Sequence, residues 1–280
     1  MSAGQKAKGD LSVTALYTAG TWAWAGLSGA ELIASEDSRR VFEVTNAALA
    51  LARPFQRDPR SLKHALLHRH AMIDHVLGAS GARQVLELAA GLSRRGVAVS
   101  ADPAVRYTEV DLPHVVEKKR ALLARSPAGR AVLARPNLRL VARDVTEEAL
   151  ADLVEPGAPL FVIAEGLFVY LSPEKQRALF RAAHALLARA GGGTFVFDLM
   201  PSCEEPAPGA AGRALGWLME RFTGGKSFER DARTRGDITR ELGEAGFSEA
   251  RAIEPGEVAT AWGLPSPEVP TRQLVFVGKA

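Results

Sequence analysis

The sequence predicts an α/β protein: a doubly wound sheet whose strands alternate with helices, preceded by a helical N-terminal region. Three observations carry this. Short apolar runs recur near residues 85–88, 105–111, 138–142, 160–164, 194–198, 250–253 and 273–277. The first four each end in a small or polar residue, and helical patterns alternate with the strands. Residues 1–80, by contrast, are rich in Ala and Leu and show no strand alternation.

The most informative stretch is Gln84-Val85-Leu86-Glu87-Leu88-Ala89-Ala90-Gly91-Leu92-Ser93-Arg94-Arg95-Gly96. Val85, Leu86 and Leu88 supply a buried strand. Ala89, Ala90 and Gly91 let a ligand approach the backbone, and Ser93 is placed to cap the next helix. In doubly wound sheets, ligands dock beyond the carboxyl ends of such strands. A hydride carrier wants Gly-x-Gly-x-x-Gly for its pyrophosphate. Here Ala89 replaces the first glycine and Arg94 the third, so a nucleoside with a short amino-acid tail fits better.

The second strand ends at Asp111-Leu112-Pro113, about twenty residues on. A carboxylate there can accept both hydroxyls of a ribose, or simply cap the next helix. The third ends in Arg143-Asp144-Val145, where Asp144 can meet an adenine amine or serve as an N-cap. The fourth ends in Glu165-Gly166, an awkward place for a merely solvated acid. Ser172-Pro173-Glu174 starts a helix that the glycines at 191–193 end. A fifth strand follows at 194–198. Residues 201–212 read as a Pro/Gly-rich loop, and 213–223 and 236–245 as helices. Two strands, 250–253 and 273–277, finish the sheet.

Composition narrows the function. At 280 residues the chain can bury a sizeable core, and 47% of it is apolar with ordinary charge, as in a globular protein. The net charge of +3 comes without a basic stripe or interleaved aromatics, so no nucleic-acid partner is expected. No segment can span a membrane and no secretory apolar region opens the chain; with the lone Cys203, a cytoplasmic location is expected.

Arg69 is the sharpest single residue. On a helix from Leu62 to Leu77 it falls within the apolar stripe of Leu62, Ala65, Leu66, Met72, Ile73, Val76 and Leu77. A guanidinium there needs an anion: a ligand carboxylate, an acid of the sheet, or a route out to solvent. Glu87, inside a buried strand, also needs partners and is expected to organise the turn. His64 and His68 stand at i, i+4, but the same count puts them with His75 on the solvated face. No metal site is expected, and only His70 lies near Arg69. Tyr17, Trp22, Trp24, Tyr170 and, beyond the loop, Trp217, Met219 and Phe222 are candidates for an acceptor pocket, or for ordinary packing.

Five segments taken together resemble a known family: Thr14-Ala15-Leu16-Tyr17-Thr18; Arg69-His70 with Asp74; Glu87 to Ser93; Glu109-Val110-Asp111-Leu112-Pro113; and Glu165-Gly166-Leu167-Phe168-Val169-Tyr170-Leu171. The chain resembles the leucine carboxyl methyltransferases, class I S-adenosylmethionine-dependent enzymes. Within them it is most similar to the bacterial branch of the tetracenomycin polyketide O-methyltransferase. Arg94 departs from the proline usual in that branch.

The resemblance implies a Rossmann-like seven-stranded sheet whose last two strands form an antiparallel hairpin. It implies a helical cap at 1–80, contributing to the cofactor and substrate site, and an S-adenosylmethionine-binding domain at 81–280. Arg69 would hold the methionyl carboxylate and Glu165 would lie near it. The implied cofactor set is Arg69, Glu87, Ala89, Gly91, Asp111, Leu112, Asp144, Val145, Glu165 and Gly166, with Tyr17, Trp22 and Tyr170 as substrate-positioning candidates. The implied function is O-methylation of a small secondary-metabolite acceptor, foremost a carboxylic acid. A phenolic polyketide hydroxyl, a protein C-terminal carboxylate and a non-catalytic cofactor-binding regulatory domain remain alternatives.

Overall fold

The computed structural model describes residues 13–52, 61–201, 203 and 232–280. Four helices come first: α1 (Val13–Trp24), α2 (Ala30–Ile33), α3 (Glu36–Ala52) and α4 (Leu62–Ser80). The sheet region follows with β1 (Gln84–Leu88), α5 (Arg95–Val99), β2 (Arg106–Asp111), α6 (Pro113–Ala124), α7 (Pro127–Leu133), β3 (Leu138–Ala142) and β4 (Leu160–Ala164). Then come α8 (Pro173–Ala190), β5 (Gly193–Asp198), α9 (Arg235–Glu244), β6 (Glu249–Ile253) and β7 (Val275–Lys279).

The seven strands run in the order β3-β2-β1-β4-β5-β7-β6. The first five are parallel, and β7 pairs antiparallel with both β5 and β6. This is the expected Rossmann-like α/β class, with the hairpin at the edge. The order reverses between β1 and β4, and at such a switch point the outgoing loops diverge and leave a crevice.

The strands alternate their side chains between two cores. Leu86, Leu88, Val162, Phe195 and Phe197 pack under α8 through Leu179, Phe180, Ala183 and Leu187. Val85, Tyr107, Phe161, Ile163 and Val196 pack under α4 through Met72, Ile73 and Leu77. Both faces are covered, which is why β1 and β4 are buried along their full length. Thus α4 already belongs to a layer of the sheet, although it precedes residue 81. The other N-terminal helices pack on one another, with Tyr17 and Trp24 each stacked on Phe42.

Local signals explain the ends of α8. The Ser172 side chain accepts the Lys175 amide, Pro173 sits in the first turn, and Gly191 ends the helix at φ 87°. The last strand lies two residues later than its apolar run suggests. Its ladder runs through Gly278 and Lys279, while Gln273 turns its side chain to Asp198 instead. The expected helix at 213–223 and most of the loop at 201–212 lie outside the described residues. No helix among the described residues is long and apolar enough to cross a membrane.

Candidate active site

The turn after β1 is held in a conformation that few side chains adopt. Ala89 has φ 50° and Gly91 φ 53°, both left-handed. For alanine this costs of the order of 1 kcal/mol or more, and such outliers gather at functional turns. The Gly91 amide donates to Asp111 Oδ2 at 2.6 Å and the Leu112 amide to Oδ1 at 2.7 Å. Asp111 thus joins the tips of β1 and β2. Burial pushes its carboxyl up, against the pull of those two amides. A Cβ added at Gly91 would meet nothing within 4 Å, so the turn faces open space. The capping expectation shifts by one residue: α5 begins at Arg95, and Ser93 Oγ accepts the Arg95 amide at 3.2 Å.

Beside this turn lies a buried cluster of ionic side chains from α4, β1, the β1–α5 turn and the tips of β4 and β5. Arg69 Nε donates to Glu165 Oε1 and Nη1 to Asp198 Oδ2, both at 3.0 Å. Both sheet acids therefore partner the arginine that the helix pattern placed on an apolar face. Its Nη2 has no protein partner among the described residues. It faces Gly166, where an added Cβ would lie 3.6 Å away. The Gly166 amide donates to Asp198 Oδ1 at 2.5 Å, with φ 73° at the glycine.

Arg95 is wholly buried and meets three acids. Its Nε donates to Asp74 Oδ1 and its Nη1 to Glu87 Oε1, both at 2.6 Å. Its Nη2 donates to Glu165 Oε2 at 2.8 Å. Tyr107 completes Glu87 by donating to Oε2 at 2.8 Å. Arg94, the residue that departs from the family pattern, bonds Asp74 Oδ2 and donates from Nε to His70 Nε2 at 3.0 Å. His70 Nε2 is therefore an acceptor there, and Nδ1 lies 2.9 Å from both Glu165 Oε2 and Arg95 Nη2. Trp22 stacks on the same ring at 4.1 Å.

These contacts set the charge states. Burial opposes ionisation of Glu165, yet His70, Arg69 and Arg95 hold its carboxyl well below the usual range. Burial likewise works against Asp74, and His70, Arg95 and Arg94 bring it down. Asp198 goes the other way: burial raises it, and Arg69 offsets only part of the rise. On β2, burial lifts Glu109 to about 7 despite its ion pair with Lys119. Glu109 Oε1 is buried without a partner among the described residues, and the residue lines a void of about 10 Å³ with Gly91, Asp111 and Lys119.

The other expected residues make contacts of their own. Asp144 Oδ1 accepts from the Thr146 amide and hydroxyl, so the acid organises its own turn, with Val145 packed on the core behind it. Tyr17 is buried, bonded to Asn46, and its hydroxyl is pushed up to about 12 by burial. With Trp22 also buried, neither ring presents a face to solvent in the described structure. Tyr170 lies within 3.2 Å of the Thr14 hydroxyl, joining α1 to the segment after β4. Trp217, Met219 and Phe222 lie outside the described residues.

His68 corrects the helical count. It is buried, not solvated, with Thr271 Oγ1 at 2.8 Å and the Pro265 carbonyl at 2.7 Å. The segment before β7 folds over that face of α4, which periodicity within the helix cannot reveal. A separate recess of about 490 Å³ in the N-terminal helices, lined by Trp24, Phe42, Glu31, Glu43 and Arg39, shares no residue with the strand-tip site.

Sequence reasoning missed Arg95, Tyr107, Asp198 and Gln273 as members of the cluster. One signal was available: Arg94-Arg95 follows directly on a turn whose strand holds an unexplained buried Glu87.

The parallel sheet with its order reversing between β1 and β4, and with Asp111, Glu165 and Asp198 at the strand tips, defines a Rossmann-like α/β protein. The family model for leucine carboxyl methyltransferase matches residues 27–184, more than half of the chain. The chain belongs to the leucine carboxyl methyltransferase family.

A protein of Mycobacterium ulcerans (strain Agy99), provisionally named an S-adenosyl-L-methionine-dependent methyltransferase, is 36% identical over 129 residues. That match covers 44% of this chain and 42% of the relative. A similarly named protein of Mycobacterium bovis (strain BCG / Pasteur 1173P2) is 38% identical over 112 residues, 40% of this chain and 37% of its own. The matches thus span about two-fifths of these relatives' length. Among solved structures, a provisionally named methyltransferase from Thermobifida fusca YX superposes with a TM-score of 0.58 at 20% identity, covering 97% of this chain and 95% of its own. A provisionally named O-methyltransferase from Nostoc punctiforme PCC 73102 gives 0.53 at 17% identity, over 77% and 57% of the two chains. At these identities the structures speak for the fold alone.

Proposed function

We propose that this protein is an S-adenosylmethionine-dependent O-methyltransferase acting on a small-molecule acceptor, foremost a carboxylic acid. The observation that carries the reading is Arg69. It is fixed by two acids yet keeps one guanidinium nitrogen, Nη2, for an anion beside Gly166. A methionyl carboxylate suits that nitrogen, and Asp111 with the open turn at Gly91 suits a ribose. Family membership and the names of the mycobacterial relatives support the same donor.

The residues fit the donor's chemistry. Arg69 and Glu165 would meet the amino-acid end, while Ala89, Gly91, Asp111 and Leu112 would hold the sugar. Asp144 and Val145 would lie at the base. Glu87 acts one step away, through Arg95. In this reading the helices of 1–80 close over the site that 81–280 build. Bound there, the sulfonium would supply an electrophilic methyl group.

The acceptor reading comes from what surrounds the site. His70 is engaged at both ring nitrogens, and both oxygens of Glu165 are bonded. Each is already committed to protein partners. A carboxylate acceptor needs no base: its oxygen bonds the methyl carbon as the carbon–sulfur pair leaves with sulfur. A phenol, with a pKa near 10, would need one.

Calorimetry with S-adenosylmethionine and with NAD tests the donor; binding of NAD alone overturns it. Methyl-labelled donor offered with aromatic acids and phenols then tests the acceptor. Label in an alkali-labile ester is the expected result, and label in an alkali-stable ether would transfer the reading to phenols. Label that never leaves the donor would leave only a regulatory cofactor-binding domain.

A further inference from the structure

A continuous chain of hydrogen bonds crosses the site from one strand to another. Tyr107 on β2 donates to Glu87 on β1 at 2.8 Å, and Arg95 bonds the same carboxylate at 2.6 Å. Arg95 then reaches Glu165 at 2.8 Å, which takes Arg69 on its other oxygen at 3.0 Å. Arg69 bonds Asp198 at 3.0 Å, and Gln273 closes the chain on that acid at 3.0 Å. Acid and base alternate along it, so every carboxylate has a cationic partner in an interior that would otherwise penalise it.

Arg95 is the hub. Its three edges face Asp74 on α4, Glu87 on β1 and Glu165 beyond β4. Nothing of its side chain is exposed, so it cannot touch a ligand in the crevice. It can act only through the groups it holds: those three acids and His70, whose Nδ1 lies 2.9 Å from Arg95 Nη2. Glu87 and Tyr107, one strand further in, fix the guanidinium against the sheet. A lysine has one ammonium, and cannot present three separate edges to three acids on three elements.

We infer that Arg95 is a positioning residue for the donor: held by Glu87 and Tyr107, it sets the Glu165 carboxylate and thereby the Arg69 guanidinium. The inference rests on reading Arg69 and Glu165 as donor contacts. It adds that affinity for the donor depends on a tyrosine hydroxyl on β2, which bonds neither of them.

The test is a double-mutant cycle read by calorimetry with S-adenosylhomocysteine. Arg95→Lys is expected to raise Kd at least tenfold, and Tyr107→Phe about threefold. In a Glu165→Gln background each should change Kd less than twofold, because the link is already cut. Equal factors in both backgrounds would overturn the inference, as would unchanged affinity in folded Arg95→Lys. Tyr107→Phe removes a single oxygen and runs the same cycle if Arg95→Lys does not fold. Wild-type protein that binds no adenosyl ligand would overturn the functional reading and this one with it. A second readout needs no ligand: the Arg69 Nε–H resonance should shift in Tyr107→Phe, and an unmoved resonance overturns the inference by itself.

Discussion

The Gly91 amide donates to Asp111 Oδ2 at 2.6 Å, tying two strand tips that stand 20 residues apart in sequence. The contact makes the turn after β1 and the acid after β2 one unit, with the glycine open on its other side.

Gly91→Ala tests that unit. The new methyl meets no protein atom within 4 Å, so the cost to the fold is the left-handed backbone at φ 53° alone. That is about 1 kcal/mol, or a fall of about 2–4 °C in Tm. The methyl would stand where a sugar approaches, so the Kd for S-adenosylmethionine should rise about tenfold. Calorimetry showing unchanged affinity would remove this turn from the donor site.

Arg69→Ala has two separable consequences. It takes one of two cations from Glu165, which keeps Arg95, and strips Asp198 of its cation; an uncompensated buried acid costs about 3–5 kcal/mol. It also removes the nitrogen that faces Gly166, so donor affinity should fall by a hundredfold or more. Urea titration follows the first effect and calorimetry the second. A folded variant with wild-type affinity would reduce Arg69 to a structural ion pair.

Much of this could be read from the chain. The apolar run at 160–164 coincides with β4 because a strand covered on both faces needs unbroken hydrophobic sequence, whereas the edge strand β3 was legible from Leu138, Leu140 and Val141 around an exposed Arg139. Asp111 and Glu165 stood out because an acid at the end of such a strand has no packing reason to be there. Arg95 did not, since arginine in the first turn of a helix ordinarily faces water, and only the fold reveals three acids around it. His68 failed for a related reason. The covering segment is 197 or more residues away in sequence, beyond any local periodicity.

Glu109 gives the protein a pH dependence of definite sign. Burial raises its carboxyl to about 7, above an unfolded value near 4.5. The folded state therefore holds the extra proton between those values, and stability falls as pH rises from about 4.5 to 7. Asp74 and Glu165 have the opposite sign: their lowered values add stability above about pH 4.5, lost on further acidification. Urea midpoints should thus peak near the lower end of that window. Glu109→Gln should flatten the decline toward neutral pH; a variant that keeps the full slope would place the titrating group elsewhere.

His68 should hold the segment before β7 against α4 without affecting the donor. Its ring bridges Thr271 Oγ1 at 2.8 Å and the Pro265 carbonyl at 2.7 Å, so Nε2 donates to the carbonyl while Nδ1 bonds the hydroxyl. His68→Ala leaves both partners and a void behind, so a loss of about 2–4 kcal/mol is expected. Because that segment leads into Gln273, which bonds Asp198, the disturbance could in principle reach the site. It should not, since Leu274 and Val275 are fully buried and Val275 is paired with both β5 and β6. Hydrogen exchange should therefore speed up at 264–272 and stay slow at 275–279, with donor affinity within twofold of wild type. Exchange that quickens through β7 as well would mean that His68 anchors the edge of the sheet itself.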